Sequence, residues 1–289
     1  MPRPGSCPPG WPPLPPSIQP RYAGGGGACW WAVRPSATAF FIPALLPPGT
    51  RASARRCTGS TTFRSGSRLD KAGHFWGSFQ ESRGAVDMLR WAGLSEQKAL
   101  WYGSFVGFAI QSPLELLDGR DPAYGASATD LAANFLGSSA LLAQQLAWHD
   151  IRIMPKWSFH LSPYAPQRPN VLGKSVPERW LKDYNGQTYW LCTDVGAFLK
   201  PGNRWPRWLQ PAVGYGGEDM VYNDDGTNAA AGLRPYRQFY LSLDVDLRRI
   251  PTRSALLKKV FYTLSIFHLP APALEYNGRN GFRFHGLYM

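Results

Sequence analysis

The residues best suited to chemistry lie in three short groups in the first half of a 289-residue chain. Asp70, Lys71 and His74 come first, with Asp70 and His74 four positions apart. Glu115 and Asp118 follow, three apart, and then Ser127, Asp130 and Asn134. An imidazole beside carboxylates is suited to moving protons near neutral pH, which makes His74 the candidate acid or base and Asp70 its orienting partner. Glu115, Asp118 and Asp130 would then bind a metal or polarise a lipid, phosphate or glycan substrate. A plainer role is equally consistent with these residue types. A mixed cluster of acids, Lys, His and Asn is costly to bury unless its members pair with one another. Asp130 can cap a helix, Asp70 suits a helix start, and Lys71 can pair with Glu115 or Asp118. A structural polar network, a ligand site built on Lys71, Glu115, Asp118, Ser127, Asp130 and Asn134, and acid–base catalysis by His74 and Asp70 all stay open.

Three helices must position these groups. Asp70 to Leu94 is predicted as an amphipathic helix, with Phe75, Phe79, Val86 and Leu89 apolar and Gly93 at its end. Ser95 is a plausible N-cap for a second helix reaching about Leu117, with Pro113 tightening its last turn. Ser127 and Asp130 resemble a capping box for a third helix ending near Trp148. Asp70 and His74 share one helical face, as do Glu115 with Asp118, and Asp130 with Asn134 and Gly137. Short connections favour an antiparallel bundle, which would bring all three polar groups to one end. A membrane-spanning helix needs about 20 mainly apolar residues. The second and third helices approach that length only marginally.

Beyond about residue 150 the texture changes to a Tyr- and Trp-rich region. Ile151–Leu161 is strand-like but broken by Pro155. Val176–Tyr184 suggests a short helix, and Asn185-Gly186 suggests a two-residue hairpin. Tyr240–Leu247 is the best strand, with Leu241, Leu243, Val245 and Leu247 alternating with Ser242, Asp244 and Asp246, one apolar face and one wet face. Ser254–His268 is a basic amphipathic helix, and Leu274–Tyr288 suggests a terminal hairpin. Gly214–Gly217 is expected to be a turn. The predicted fold class is α+β: a disordered segment over 1–68, a three-helix bundle over 69–150, and an α+β region over 151–289.

Several spacings together carry a resemblance. Asp70-Lys71-x-x-His74, Glu115-x-x-Asp118-Gly119 and Ser127-x-x-Asp130-x-x-x-Asn134-x-x-Gly137 resemble the YfiM-like periplasmic lipoproteins of bacteria. Ser158-x-His160-x-Ser162-Pro163-Tyr164, Asp183–Trp190 and Tyr240–Leu247 extend that resemblance over most of 69–289. The first and last helical motifs are also similar to the VanZ-like integral membrane family. The resemblance implies a bacterial envelope location, periplasmic or membrane-associated, and supplies no catalytic residue. Membrane or envelope components are the partners it implies.

The net charge of +12 would invite a nucleic-acid reading, but its distribution argues against one. Eight of the 31 basic residues lie in 1–68 without a single Lys, Asp or Glu, which leaves a net of +4 beyond. That segment also holds Cys7, Cys29, Cys57 and the run Gly24–Gly27. Such a composition is what GC-rich DNA gives when translated in a wrong frame; a Pro/Gly-rich tail is the alternative. Neither can bury a core, and no nucleic-acid partner is expected. Cys29 lacks the apolar stretch that precedes a lipid-acceptor Cys, and no secretory signal is legible. There is no Cys-x-x-Cys and no His-Glu-x-x-His, so neither a zinc motif nor a cofactor is expected. Arg248, Arg249, Arg253, Lys258 and Lys259 form a basic run whose plain role is a solvated face, with anionic lipid as the alternative.

Overall fold

The computed structural model describes residues 67–118, 127–200, 202–222 and 225–289. The expected disorder over 1–68 lies outside the described residues except at Ser67 and Arg68, which already belong to the first helix, and the Cys29 context lies outside them altogether. Four helices open this part: α1 (Ser67–Trp91), α2 (Glu96–Ser104), α3 (Val106–Asp118) and α4 (Ala128–Trp148). The second expected helix is thus two, broken at Phe105. Ser127 caps α4 as expected, its hydroxyl accepting from the Asp130 N–H at 3.3 Å. Glycines set how closely these helices approach. A Cβ on Gly137 of α4 would stand 2.3 Å from the Phe75 carbonyl oxygen of α1, and one on Gly107 of α3 would stand 2.2 Å from that of Ser78. Phe79, Val86, Leu100, Leu141, Leu142, Ile151 and Met154 form the core between the helices and the first strand.

The remainder is an antiparallel meander in strict chain order. Its strands are β1 (Ile153–Phe159), β2 (Gln187–Thr193), β3 (Leu209–Glu218), β4 (Tyr236–Val245), β5 (Ala271–Asn277) and β6 (Gly281–Tyr288). Short helices α5 (Pro169–Leu172), α6 (Val176–Lys182) and α7 (Asp225–Ala230), and the longer α8 (Ala255–Leu264), fill the connections. The class is α+β, as the sequence predicts. The terminal hairpin forms, and Pro155 is accommodated within β1.

Three local expectations are corrected. Asn185-Gly186 is not a hairpin turn: Tyr184–Gly186 is a single helical turn leading into β2, which pairs with β1. The Asn185 amide instead bonds the Asp183 carboxylate and the Met220 carbonyl. Gly214–Gly217 is strand, not turn. A Cβ at Gly214 would stand 2.7 Å from the Trp190 ring. The wet face of β4 is the inner one: Tyr240, Ser242 and Asp244 are buried, while Phe239, Leu241 and Leu243 are exposed. Burial of these polar groups is tolerable because they pair. Lys156 and Asp244 form an ion pair with no exposure on either side chain. The Lys156 ammonium also donates to the Val245 carbonyl at 3.1 Å. Trp190 donates to Ser158 at 2.9 Å, and Thr188 meets the Tyr288 hydroxyl at 3.0 Å, so the last strand curls back over the second.

α1 joins the two parts. Trp76 packs against Trp157 of β1 and Tyr189 of β2, with ring centres 5.9 and 6.4 Å apart. The buried Arg83 guanidinium stacks on Tyr262 and donates to that residue's carbonyl at 3.0 Å and to Ser265 at 3.1 Å, fastening α1 to α8.

Candidate functional site

The antiparallel helices gather the polar groups at one end, as the spacing requires. The Lys71 ammonium lies 2.5 Å from the Asp130 carboxylate, joining α1 to α4. Asp130 therefore does more than cap its helix. His74 is held from both ring nitrogens. Nδ1 faces the side-chain oxygens of Asn134 at 3.1 Å and Gln111 at 3.4 Å. Nε2 faces Glu115 at 3.1 Å and Asp70 at 3.6 Å. One imidazole nitrogen placed between two carboxylates is the chemical content of this arrangement.

The sequence reading missed three contributors. Gln111 stands at the end of an apolar run in α3, where a lone amide among hydrophobes is the available signal. It bonds both His74 and Glu81, and Gly77 leaves room for it, since a Cβ there would stand 2.5 Å from the Gln111 amide nitrogen. Tyr184, far along the chain, donates its hydroxyl to Asp70 at 3.2 Å. Glu81 continues the face that carries Asp70, His74 and Gly77. Its Oε2 is buried without a hydrogen-bond partner. Burial pushes the Glu81 carboxyl up to about 7, against the pull of Gln111 and His74. Burial likewise raises the Asp70 carboxyl, more than His74 and Lys71 hold it down. Burial and the neighbouring Asp70 charge push the Tyr184 hydroxyl well above its ordinary value, so it stays a donor.

Asp70, His74, Lys71, Glu115, Asp130 and Asn134 thus meet. Ser127 serves the cluster through the α4 backbone, with its hydroxyl also 2.8 Å from Thr129. The Asp118 side chain lies outside the described residues. Asp70, His74 and Asp130 could each offer one atom to a cation, all within 4.8 Å. The Lys71 ammonium is paired with Asp130 Oδ1, and a positive charge there opposes a cation while that pair holds. Cavities of about 450 and 650 Å³ lie elsewhere. One lies against the side of β3 and β4 that carries Tyr215 and Phe239, with Leu69 of α1 in its wall, and the other beside Arg248, Lys258 and Phe261.

Residues 58–144 match a family described as predicted periplasmic lipoproteins (DUF2279). The match covers α1 to α3, most of α4 and the cluster residues they carry, and it agrees with the envelope location that the motifs imply. No curated protein and no solved structure matches the chain. Among the described residues, no helix is long and apolar enough to cross a membrane.

Proposed function

We propose that the chain is a membrane-associated envelope protein with a structural or binding role, and that the polar cluster locks α1, α3 and α4 to the turn before β2. The YfiM-like reading of the motifs beyond the helices belongs to this proposal. The observation that supports it best is internal pairing across the helices, to which the buried Glu81 Oε2 and Asn134 Nδ2 are exceptions. Lys71 pairs with Asp130, His74 with Asn134 and Glu115, and Asp70 with Tyr184. Groups kept for turnover tend to be left strained or unpaired, and replacing them tends to stabilise a fold. Groups kept for structure cost stability when removed. His74→Gln keeps the bulk and one amide but cannot bridge both sides. Its thermal unfolding midpoint is expected to fall by several degrees, the size of a loss of about 1–2 kcal/mol. An unchanged or raised midpoint overturns the structural role.

A second reading has one specific observation in its favour. His74 is oriented by amide oxygens on one side and faces two carboxylates on the other, the geometry of a positioned acid or base. A hydrolase-like envelope enzyme acting on a lipid, phosphate or glycan would use His74 with Asp70, and Glu115, Asp118 and Asp130 around the substrate. A raised unfolding midpoint for His74→Gln is the outcome that favours it.

A further inference from the structure

The sheet is inside out for a protein in water. Along β4, Tyr240 is 3% exposed while Leu241 is 57% exposed; on β5, Glu275 is 2% and Leu274 is 40% exposed. Register makes the outward residues one surface. Leu191, Val213, Leu241, Leu274 and Phe284 stand opposite one another across β2 to β6. The adjoining cross-strand row is aromatic: Tyr215, Phe239, Tyr276 and Phe282. Trp208, also exposed, precedes β3 at the other end of the band. From Leu209 to Tyr215, from Phe239 to Val245 and from Pro272 to Tyr276, no outward position carries a charge or an amide.

Chemistry decides what covers such a face. A protein interface of this breadth carries a polar rim and regular hydrogen bonds. The inner side is mixed, with Trp190, Tyr240 and Ala273 packed among Lys156, Asp244 and Glu275, and an outward apolar band bounded by aromatic residues is the arrangement that strands adopt against acyl chains. The basic helix α8 has the same preference. Leu256, Leu257, Val260 and Leu264 are exposed, none of its residues is buried, and exposed Arg253, Lys258 and Lys259 accompany them. That pairing suits an anionic lipid surface. The extent of the band sets the mode of contact. Leu209 to Tyr215 spans about 20 Å at about 3.4 Å per residue, short of a hydrocarbon core of about 30 Å. It is also short of the apolar band of about 25 Å on strands that span a membrane, so the face is assigned to contact from one side.

We propose that the outward face of β3 to β6 is a lipid-contact surface, seated against the acyl chains of one leaflet, with α8 strengthening the attachment to anionic lipid. This rests on the membrane-associated reading above and names the surface responsible. The test is flotation of the full chain with vesicles of phosphatidylcholine mixed with phosphatidylglycerol. The wild-type chain is expected to float. The variant L241E/L274K/F284E, which sets opposite charges across the strands, is expected to lose at least roughly tenfold in partition, as for three apolar side chains withdrawn from lipid. Its circular dichroism should be unchanged, because these side chains are already exposed. F284Q/L287Q, at the last strand, is the milder variant should the triple one fail to fold, and it is expected to weaken flotation several-fold. K258E/K259E is expected to weaken flotation with the mixed vesicles and to leave binding to pure phosphatidylcholine unchanged. Equal flotation of folded sheet variants and wild type overturns the assignment while membrane association stands. Absence of wild-type flotation overturns both. A wild-type dimer that becomes monomeric in the sheet variants, without vesicle binding, assigns the face to a second copy and overturns the lipid reading.

Discussion

His74 and Glu115 meet at 3.1 Å, although 41 positions of sequence separate them. The contact ties the middle of α1's polar face to the C-terminal part of α3. It leaves Nε2 between two carboxylates while amide oxygens hold Nδ1. The imidazole is therefore the hinge of the cluster, and the acids around it set how the fold responds to pH.

Glu81 gives that response a direction. Its carboxyl is raised from 4.5 to about 7 by burial, so the folded state binds a proton more tightly than the unfolded chain. Stability from this group is greatest below pH 4.5 and is lost as pH rises toward 7. The raised Asp70 carboxyl acts in the same sense. Glu81→Gln keeps an amide for Gln111 and removes the titration. Chemical denaturation should find it more stable than wild type by about 2 kcal/mol at pH 8. The two should be about equal at pH 4. A wild-type protein whose advantage over Glu81→Gln grows with pH would contradict the assignment.

Lys71 and Asp130 should behave as a coupled pair. Asp130 is nearly buried, so removing only Lys71 strands its charge. Lys71→Ala is expected to cost about 2 kcal/mol, less than a fully buried pair would. Asp130→Asn can still accept from the ammonium and should cost less. In a double-mutant cycle with Lys71→Ala and Asp130→Ala, the coupling should be about 1–2 kcal/mol. Additive losses would mean that the pair does not hold α1 to α4.

Glycine substitutions separate close packing from helix propensity. Gly137→Val would drive side-chain atoms into the Phe75 carbonyl, and its cost should be about 3 kcal/mol. Gly84, in the middle of α1, has nothing within 4 Å of where a Cβ would stand. Gly84→Ala should therefore stabilise by about 0.5–1 kcal/mol through lower entropy of the unfolded chain. Thermal melts of the two variants shifting in opposite directions would confirm that α4 crosses α1 by contact with its backbone.

Much of the cluster was legible because helical periodicity is strong evidence about faces. Asp70 with His74, and Asp130 with Asn134, had to share faces, and short connections forced the three polar ends together. Gln111 and Tyr184 were not legible in the same way. The first looks like an ordinary polar residue ending an apolar run, and the second reaches Asp70 only through the tertiary fold. The β4 alternation was plain in the sequence, yet its orientation was not. A period of two separates two faces without saying which is inside, and exchanging them leaves the pattern unchanged. The usual preference for apolar interiors chose the wrong face here. The inner polar groups found partners on strands far apart in sequence, as Lys156 did with Asp244.

That buried pair supplies the sharpest check on the inverted sheet. Lys156 and Asp244 are fully enclosed, with Trp190 stacked on His268 at 3.9 Å nearby. Burial drives the His268 imidazole down to about 4, so it is neutral at physiological pH and does not balance a lone carboxylate. Lys156→Met should then cost about 3–5 kcal/mol, because the Asp244 charge is left in the interior without its partner. Lys156→Met with Asp244→Leu removes both charges and should recover most of that loss. If instead β4 turned its leucines inward, Asp244 would face solvent and Lys156→Met would change stability by less than about 0.5 kcal/mol. Denaturant unfolding of the single and double variants therefore reports directly which face of the sheet lies inside.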